Sequence, residues 1–369
     1  MPGYFITGAT GFVGGALALK LLESTADPVT CLVRDAGGNP DARLEAALRA
    51  AAAAYGYPAG FIDVNRPRIR AVPGTLGQAA ELAELAGPAG SRAREFWHCA
   101  ASLRFDDRAR GEIFAANVDG TGQALRLARR LGAEVFNHMS TAYVAGRRTG
   151  PIDECHVLPG TPANNLYEQS KMDGERLVAA AAGIQTRIWR PSIVVGHSRT
   201  LAATGFSGLY RMMREIARFA AASPGAPGAP RALRVVAAPG ATVNFIPVDY
   251  VVDQAVALSL AGIEDPVVHL TNEVSPTVER CFALFFAELG LGRPAFAATR
   301  DQLSTPDAIL NRRLAFYWSY LSGAKQFRQQ AAARHGRILR FEFDDETLLA
   351  YFRWYLDHLA TARGPATAA

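Results

Sequence analysis

The stretch Ile6–Gly15 reads ITGATGFVGG. Gly8, Gly11 and Gly14 stand three residues apart, directly after the apolar run YFI and at the start of a helix-forming run from Phe12. Glycines in that context serve a phosphate-binding turn. One makes the tight turn, one lets the backbone approach a pyrophosphate, and one lets the helix pack closely on the strand. The pyrophosphate then rests on the open N–H groups of the helix N-terminus, beside Thr10, Phe12 and Val13. The spacing GxxGxxG, in place of GxGxxG, narrows the kind of dinucleotide fold.

Outward from this turn, short apolar runs alternate with helical patterns. GYFITG, VTCLVR, IRAVPG, EFWHCA, EVFNHMST and TRIWRPSIVVG read as strands. Phe12–Leu22, Asp41–Ala54, Asn117–Leu131 and Leu166–Ala182 read as the helices between them. This alternation predicts an α/β fold, a Rossmann-type doubly wound parallel sheet with right-handed crossovers. A smaller, mostly helical C-terminal substrate domain follows. The expected boundaries are 1–196 and 241–272 for a discontinuous cofactor domain, and 197–240 and 273–369 for the second. Within the latter, 223–232 (SPGAPGAPRA) reads as a Gly/Pro-rich loop. The aromatic stripes Leu314–Leu321 and Leu348–Leu359 read as core packing, with an acyl channel or membrane-facing patch as the sharper alternative.

The end of the second strand faces the adenosine ribose, where an acid favours a 2′-hydroxyl and an arginine a 2′-phosphate. Arg34 stands there, with Arg43 on the next helix, and the expectation is NADPH. Asp35 is adjacent and keeps NAD open.

Bulk properties narrow the class. The chain of 369 residues is 49% hydrophobic and 20% charged, enough for a sizeable core. Its four cysteines are scattered without ligand-like spacing, so neither disulfides nor a metal site is expected, and a cytoplasmic setting is the simplest. A net charge of +5 suits anionic small ligands, an acidic partner or a membrane surface, so a peripheral membrane contact stays open. No basic run interleaves with aromatics, which speaks against nucleic acid, and no uninterrupted apolar run is long enough for a transmembrane span.

The stretch Asn165–Val178, NLYEQSKMDGERLV, carries Tyr167 and Lys171 on one helix face. Lysine is scarce, at only Lys20, Lys171 and Lys325, so the pairing is unusual. Thr141 ends the strand FNHMST 26 residues before Tyr167. A strand-end hydroxyl, a helix tyrosine and a lysine one turn on make a carbonyl site at the carboxyl edge of a parallel sheet. Lys171 should lower the pKa of Tyr167, which then serves as general acid. Thr141 supports the oxyanion, with Ser140 as the second-choice hydroxyl. Cys99, His98 and His138 read as buried core residues.

These motifs together resemble the extended short-chain dehydrogenase/reductases, most closely the fatty acyl-CoA reductases and carrier-protein thioester reductases. TGATGFVG, HCAASLRFD, NVDGT, HMSTAYVAG, YEQSKMDGERLV, WRPSIVVG, FIPVDYVVD and HLTN carry the resemblance, in order, from residue 5 to about 272. It implies NADPH-dependent reduction of an acyl thioester to an aldehyde, or on to an alcohol. It also implies a partner, acyl-CoA or an acyl or peptidyl carrier protein with its phosphopantetheine arm. Thr141, Tyr167 and Lys171 match the catalytic triad, and Gly8, Gly11, Gly14, Arg34 and Arg43 the cofactor contacts. Asn117 matches a supporting helix residue, Ala100 and Ala101 the small residues beside the cofactor, and Pro191 and Ser192 the segment beside the nicotinamide. One departure falls at Thr75–Leu76, where the family often has Asp-Leu against the adenine. Two other readings remain: an alcohol or ketone dehydrogenase of the hydroxysteroid or dihydroflavonol type, and a non-catalytic dinucleotide sensor.

Overall fold

The computed structural model describes residues 3–34, 38–78, 81–82, 84, 93–104, 107–222 and 232–362. Asp35, nearly all of the Gly/Pro-rich stretch 223–232 and the tail after 362 lie outside them. The main sheet has seven strands: β1 (Gly3–Thr7), β2 (Val29–Val33), β3 (Ile69–Pro73), β4 (Ala93–His98), β5 (Val135–Met139), β6 (Gln185–Pro191) and β7 (Val267–Leu270). Their order is β3-β2-β1-β4-β5-β6-β7, and every pairing is parallel. The order reverses between β1 and β4. That is where a doubly wound sheet leaves a crevice at its carboxyl edge for a ligand.

Strand alternation explains why both faces are covered. Phe5, Leu32, Val72, Phe96 and Phe136 point to one face and pack on Leu125 and Leu127 of the helix Gly120–Arg130. Their neighbours Ile6, Cys31, Val33 and Trp97 point to the other, against Leu17, Leu48 and Val256. The helix Phe12–Ser24 is apolar nearly all round because the sheet and the helix Val248–Leu260 both cover it. Truncating Leu17, which is fully buried, to alanine would cost about 2–5 kcal/mol.

The run TRIWRPSIVVG does not form one strand. β6 ends at Pro191, and Ile193–Val195 pairs in parallel with Phe245–Pro247 in a separate two-stranded sheet. Ser192 still donates to Leu270 O, but Ile193 N donates to Asn244 O, so the chain changes partner there. The competing strand, Phe245–Pro247, lies about fifty residues downstream and leaves no mark on the local pattern.

A second core joins the helices Leu209–Ala222, Val278–Glu288 and Asp345–Ala362. Leu314, Tyr317 and Leu321 from one aromatic stripe, and Leu348, Tyr351, Phe352 and Tyr355 from the other, are buried in it. Core packing is therefore what these stripes do. Among the described residues no helix is long and apolar enough to cross a membrane.

Candidate active site

At the glycine turn each glycine has a different reason. Gly8 has φ +79°, and a Cβ there would lie 2.7 Å from Ala100 N, so the loops after β1 and β4 meet backbone to backbone. A Cβ on Gly14 would fall 2.2 Å from Gly8 O, which is what lets the helix press onto the strand end. Gly11 is exposed, and its N–H donates to Gly8 O at 2.9 Å. It caps the helix Phe12–Ser24 with no side-chain bond, and the first turn holds no acid. The helix N-terminus thus keeps its N–H groups and positive dipole end for an anion, which fits a pyrophosphate. Thr10 is exposed, while Phe12 and Val13 are half-buried.

Arg34 and Arg43 meet at the end of β2. Arg43 donates to Arg34 O at 2.9 Å, and both are exposed, placing two guanidinium-bearing residues together. This pair fits a phosphate. Thr75 points its N–H and hydroxyl at Gln78 Oε1, at 3.2 and 3.3 Å, so its hydroxyl closes its own turn. Leu76 beside it is half-buried. After β4, Ala100 N donates to Thr7 Oγ1 at 3.3 Å, and Ala101 is exposed. Asn117 is buried in a π-turn, Ala115–Asp119, and grips both sides of the site. It accepts from Ser102 N (2.7 Å) and donates to Ser102 O (3.0 Å) and Ser170 Oγ (2.9 Å).

Asn165 caps the helix Leu166–Ala179, accepting from Glu168 N at 2.9 Å, and so places Tyr167 in the first turn. Lys171, only 2% exposed, turns inward and donates to Met139 O at 2.7 Å, with His138 Nε2 at 3.5 Å. Thr141 follows β5 and caps the short helix Ala142–Ala145 through Tyr143 N (3.2 Å). Ser140 is engaged elsewhere: its hydroxyl donates to Glu175 Oε1 at 2.5 Å. Glu175 in turn takes a two-pronged bond from Arg190, at 2.9 and 2.6 Å, and both are almost fully buried. That pair ties the Tyr167 helix to β6, next to Pro191 and the buried Ser192.

Residues from a later part of the chain pack beside Thr141 and Tyr167. Tyr320 stacks edge-on against Tyr143, with centroids 4.9 Å apart, and Phe327 does the same at 5.7 Å. Asn165 Nδ2 donates to Tyr320 Oη at 3.3 Å, and Lys325 donates to Arg148 O at 2.8 Å.

Burial dominates the electrostatics. It pulls the Lys171 ammonium down to about 8, with Glu175 partly opposing. The Tyr167 phenol moves up, first by burial and then by Glu168 beside it. The expected lowering of Tyr167 by Lys171 is therefore not what this arrangement gives, because the ammonium is aimed at Met139 and His138. Cys99 is pushed up to about 12 by burial, Lys171 only partly opposing, so it is no ready nucleophile. His98 and His138 are fully buried and held neutral, His98 down to about 3. His197 packs on Tyr55, 5.8 Å between centroids, beside Asp249. No group of His, Cys, Asp or Glu among the described residues could hold a metal ion.

Sequence reasoning missed Ser170, Glu175, Arg190 and Tyr320. Arg190 carried a signal, a charge inside the apolar run IWRPSIVV. A buried arginine needs a buried acid, and Glu175, four residues after Lys171, was on offer.

Residues 6–255 match the family described as male sterility protein, an NAD-binding family. The chain is 31% identical over 225 residues to glycine betaine reductase ATRR of Emericella nidulans, covering 57% of this chain and 17% of that protein. It is 30% identical over 311 residues to fatty acyl-CoA reductase 1 of Gallus gallus, covering 71% of this chain and 55% of the relative. The chain thus spans about half the length of one relative and far less of the other. The crystal structure of the terminal R domain from the myxalamid PKS-NRPS biosynthetic pathway superposes with a TM-score of 0.74 at 25% identity, over 99% of this chain and 93% of that one. The glycine turn, the parallel sheet and these relatives agree, and the chain belongs to the male sterility protein family of NAD-binding reductases, within the extended short-chain dehydrogenase/reductases.

Proposed function

We propose that the protein reduces an acyl thioester to an aldehyde with NADPH, with Tyr167 as proton donor. The observation that carries this reading is Lys171, buried at the end of β5 one turn after Tyr167 and next to the strand that delivers Thr141. Arg34 and Arg43, gathered at the end of β2, support NADPH over NADH.

When bound, NADPH supplies the hydride to the thioester carbonyl carbon. The Thr141 hydroxyl donates a hydrogen bond to the oxygen that becomes negative, and Tyr167 gives it a proton. Lys171 uses one N–H on Met139 O, and in this reading an N–H left over from its contacts with β5 would hold the cofactor ribose. The hemithioacetal then collapses. Its hydroxyl loses its proton as the C–S bond breaks, the departing thiolate gains one, and the aldehyde and the free thiol result. Ser140 cannot stand in for Thr141 without giving up its bond to Glu175. The half-buried Cys99 thiol, pushed up to about 12, supports a route without an acyl-enzyme.

The carrier-protein R-domain likeness supports a phosphopantetheine-bound acyl group as substrate, with acyl-CoA carrying the same arm. In this reading 1–196 and 241–272 hold the cofactor, and 197–240 with 273–369 the substrate. Acyl-CoA and acyl-carrier thioesters should each be incubated with NADPH, following its oxidation, thiol release and product. Oxidation of NADPH with stoichiometric thiol release is expected. Oxidation or reduction of alcohols and ketones with no activity on thioesters would overturn the reading.

A further inference from the structure

Behind Lys171 lies a pair of buried histidines that the proposed mechanism leaves unused. His138, on β5, and His98, on β4, stack with ring centroids 5.5 Å apart, and both are fully buried. His98 is satisfied on both sides, by Thr7 Oγ1 (2.8 Å) and Thr121 Oγ1 (3.3 Å). His138 is not. Its Nε2 faces Lys171 Nζ at 3.5 Å, and its buried Nδ1 has no partner among the described residues.

An ammonium has only donors, so toward Lys171 the Nε2 atom must be the acceptor. The single imidazole proton then sits on Nδ1, where it goes unmatched. A buried, unmatched donor costs free energy, and such groups persist where another demand fixes them. Here the demand is visible. The same Nε2 lies 3.7 Å from where a Cβ on Gly174 would stand, so the helix carrying Lys171 runs directly over this ring.

We infer that His138 is a positioning residue for Lys171: its Nε2 lone pair receives the ammonium and, with Met139 O, aims and retains the charge at the active site. This rests on the reading of Lys171 given above. Of the lysine's three N–H groups, two are then bound by β5, and the third is the one that reading assigns to the cofactor.

The other groups facing Lys171 do not do this work. Glu175, on the same helix, is committed to Arg190 and Ser140. Cys99, at the end of β4, is a neutral thiol, and His98 lies beyond His138 and is already bonded. Tyr167 is one turn earlier on the same helix.

The scarcity of lysine makes a direct test practical. Lysine isotope-labelled at Cε gives one signal each for Lys20, Lys171 and Lys325, and Lys171→Arg identifies the wanted one. In the native protein its titration midpoint should lie near 8. In His138→Phe, which keeps the ring and removes the acceptor, it should fall by about one pH unit. His138→Gln, which restores an acceptor, should recover part of the shift. An unmoved midpoint in folded His138→Phe overturns the inference. Should that variant fail to fold, the imidazole nitrogen shifts of the native protein decide: a proton on Nδ1 of His138 supports the inference, and one on Nε2 overturns it. Neither readout needs substrate or cofactor, so a native protein inert toward thioesters would fail the proposed function and leave this test standing.

Discussion

The glycine turn and the Tyr167 helix sit at the same edge of the sheet and are built in opposite ways. The turn works by omission. Gly8 and Gly14 leave out side chains so that backbones touch, and Gly11 leaves helix N–H groups open. The Tyr167 helix works by confinement: its Lys171 and Glu175 are buried polar groups held by Met139 O on β5 and by Arg190 on β6. An added methyl harms the first region. A lost charge or hydroxyl harms the second.

The sharpest way to break this contrast is Tyr167→Phe, which removes one oxygen from the confined region. Turnover should drop by about 10²–10⁴-fold while NADPH affinity holds, read by steady-state kinetics and cofactor titration. Full activity would remove Tyr167 from its role.

Next is Glu175→Ala, which leaves Arg190 buried and unpaired. The loss should be about 3–5 kcal/mol, measured by denaturant unfolding. A loss under about 1 kcal/mol would mean that the pair is looser than its geometry.

Gly14→Ala tests the region of omission. The added Cβ meets Gly8 O, so roughly 1–3 kcal/mol of stability should go, together with dinucleotide binding. Unchanged cofactor affinity would show that the close approach is dispensable.

Arg34→Ala should be smaller and more selective, weakening NADPH by about tenfold relative to NADH through loss of one charged contact. Equal weakening of both would remove the 2′-phosphate role.

Within the confined region, pH should move stability and turnover in opposite directions. Lys171 is lowered from 10.5 to about 8 by burial, so it binds its proton more weakly folded than unfolded. Between those values the unfolded chain holds more protons, and Lys171 makes the fold gain stability as pH rises from about 8 toward 10.5. On the proposed mechanism turnover uses the ammonium and should fall over the same interval. Unfolding and rate profiles of the native protein against Lys171→Met check both limbs.

What could be read from the sequence follows the same division. Gly8, Gly11, Gly14 and the Tyr167–Lys171 pair were legible because their spacing is local and each spacing has a geometric meaning. The doubly wound sheet was legible from alternating runs. The Asn117 clamp on Ser102 and Ser170 was not, since it closes over fifteen and fifty-three residues only after packing. Thr141 could be preferred over Ser140 from the sequence, but the bond that holds Ser140 to Glu175 could not be read there. The break at Ser192 required knowing that Phe245–Pro247 would compete for the strand. Spacing puts Lys171 on the right face, but the burial that raises Tyr167 and the resting of the lysine tip on Met139 O form only in the folded chain.

Tyr320 and Phe327, lying edge-on against Tyr143, bear on how this protein can be cut. The family match stops at residue 255, and a fragment trimmed there would keep every glycine of the turn as well as Thr141, Tyr167 and Lys171. It would also take Tyr320 and Phe327 from the ring of Tyr143, two residues after Thr141, and Tyr320 from the amide of Asn165, two residues before Tyr167. A fragment that keeps these contacts beside Thr141 and Tyr167 has to extend at least through Phe327, well past the point where the family match ends.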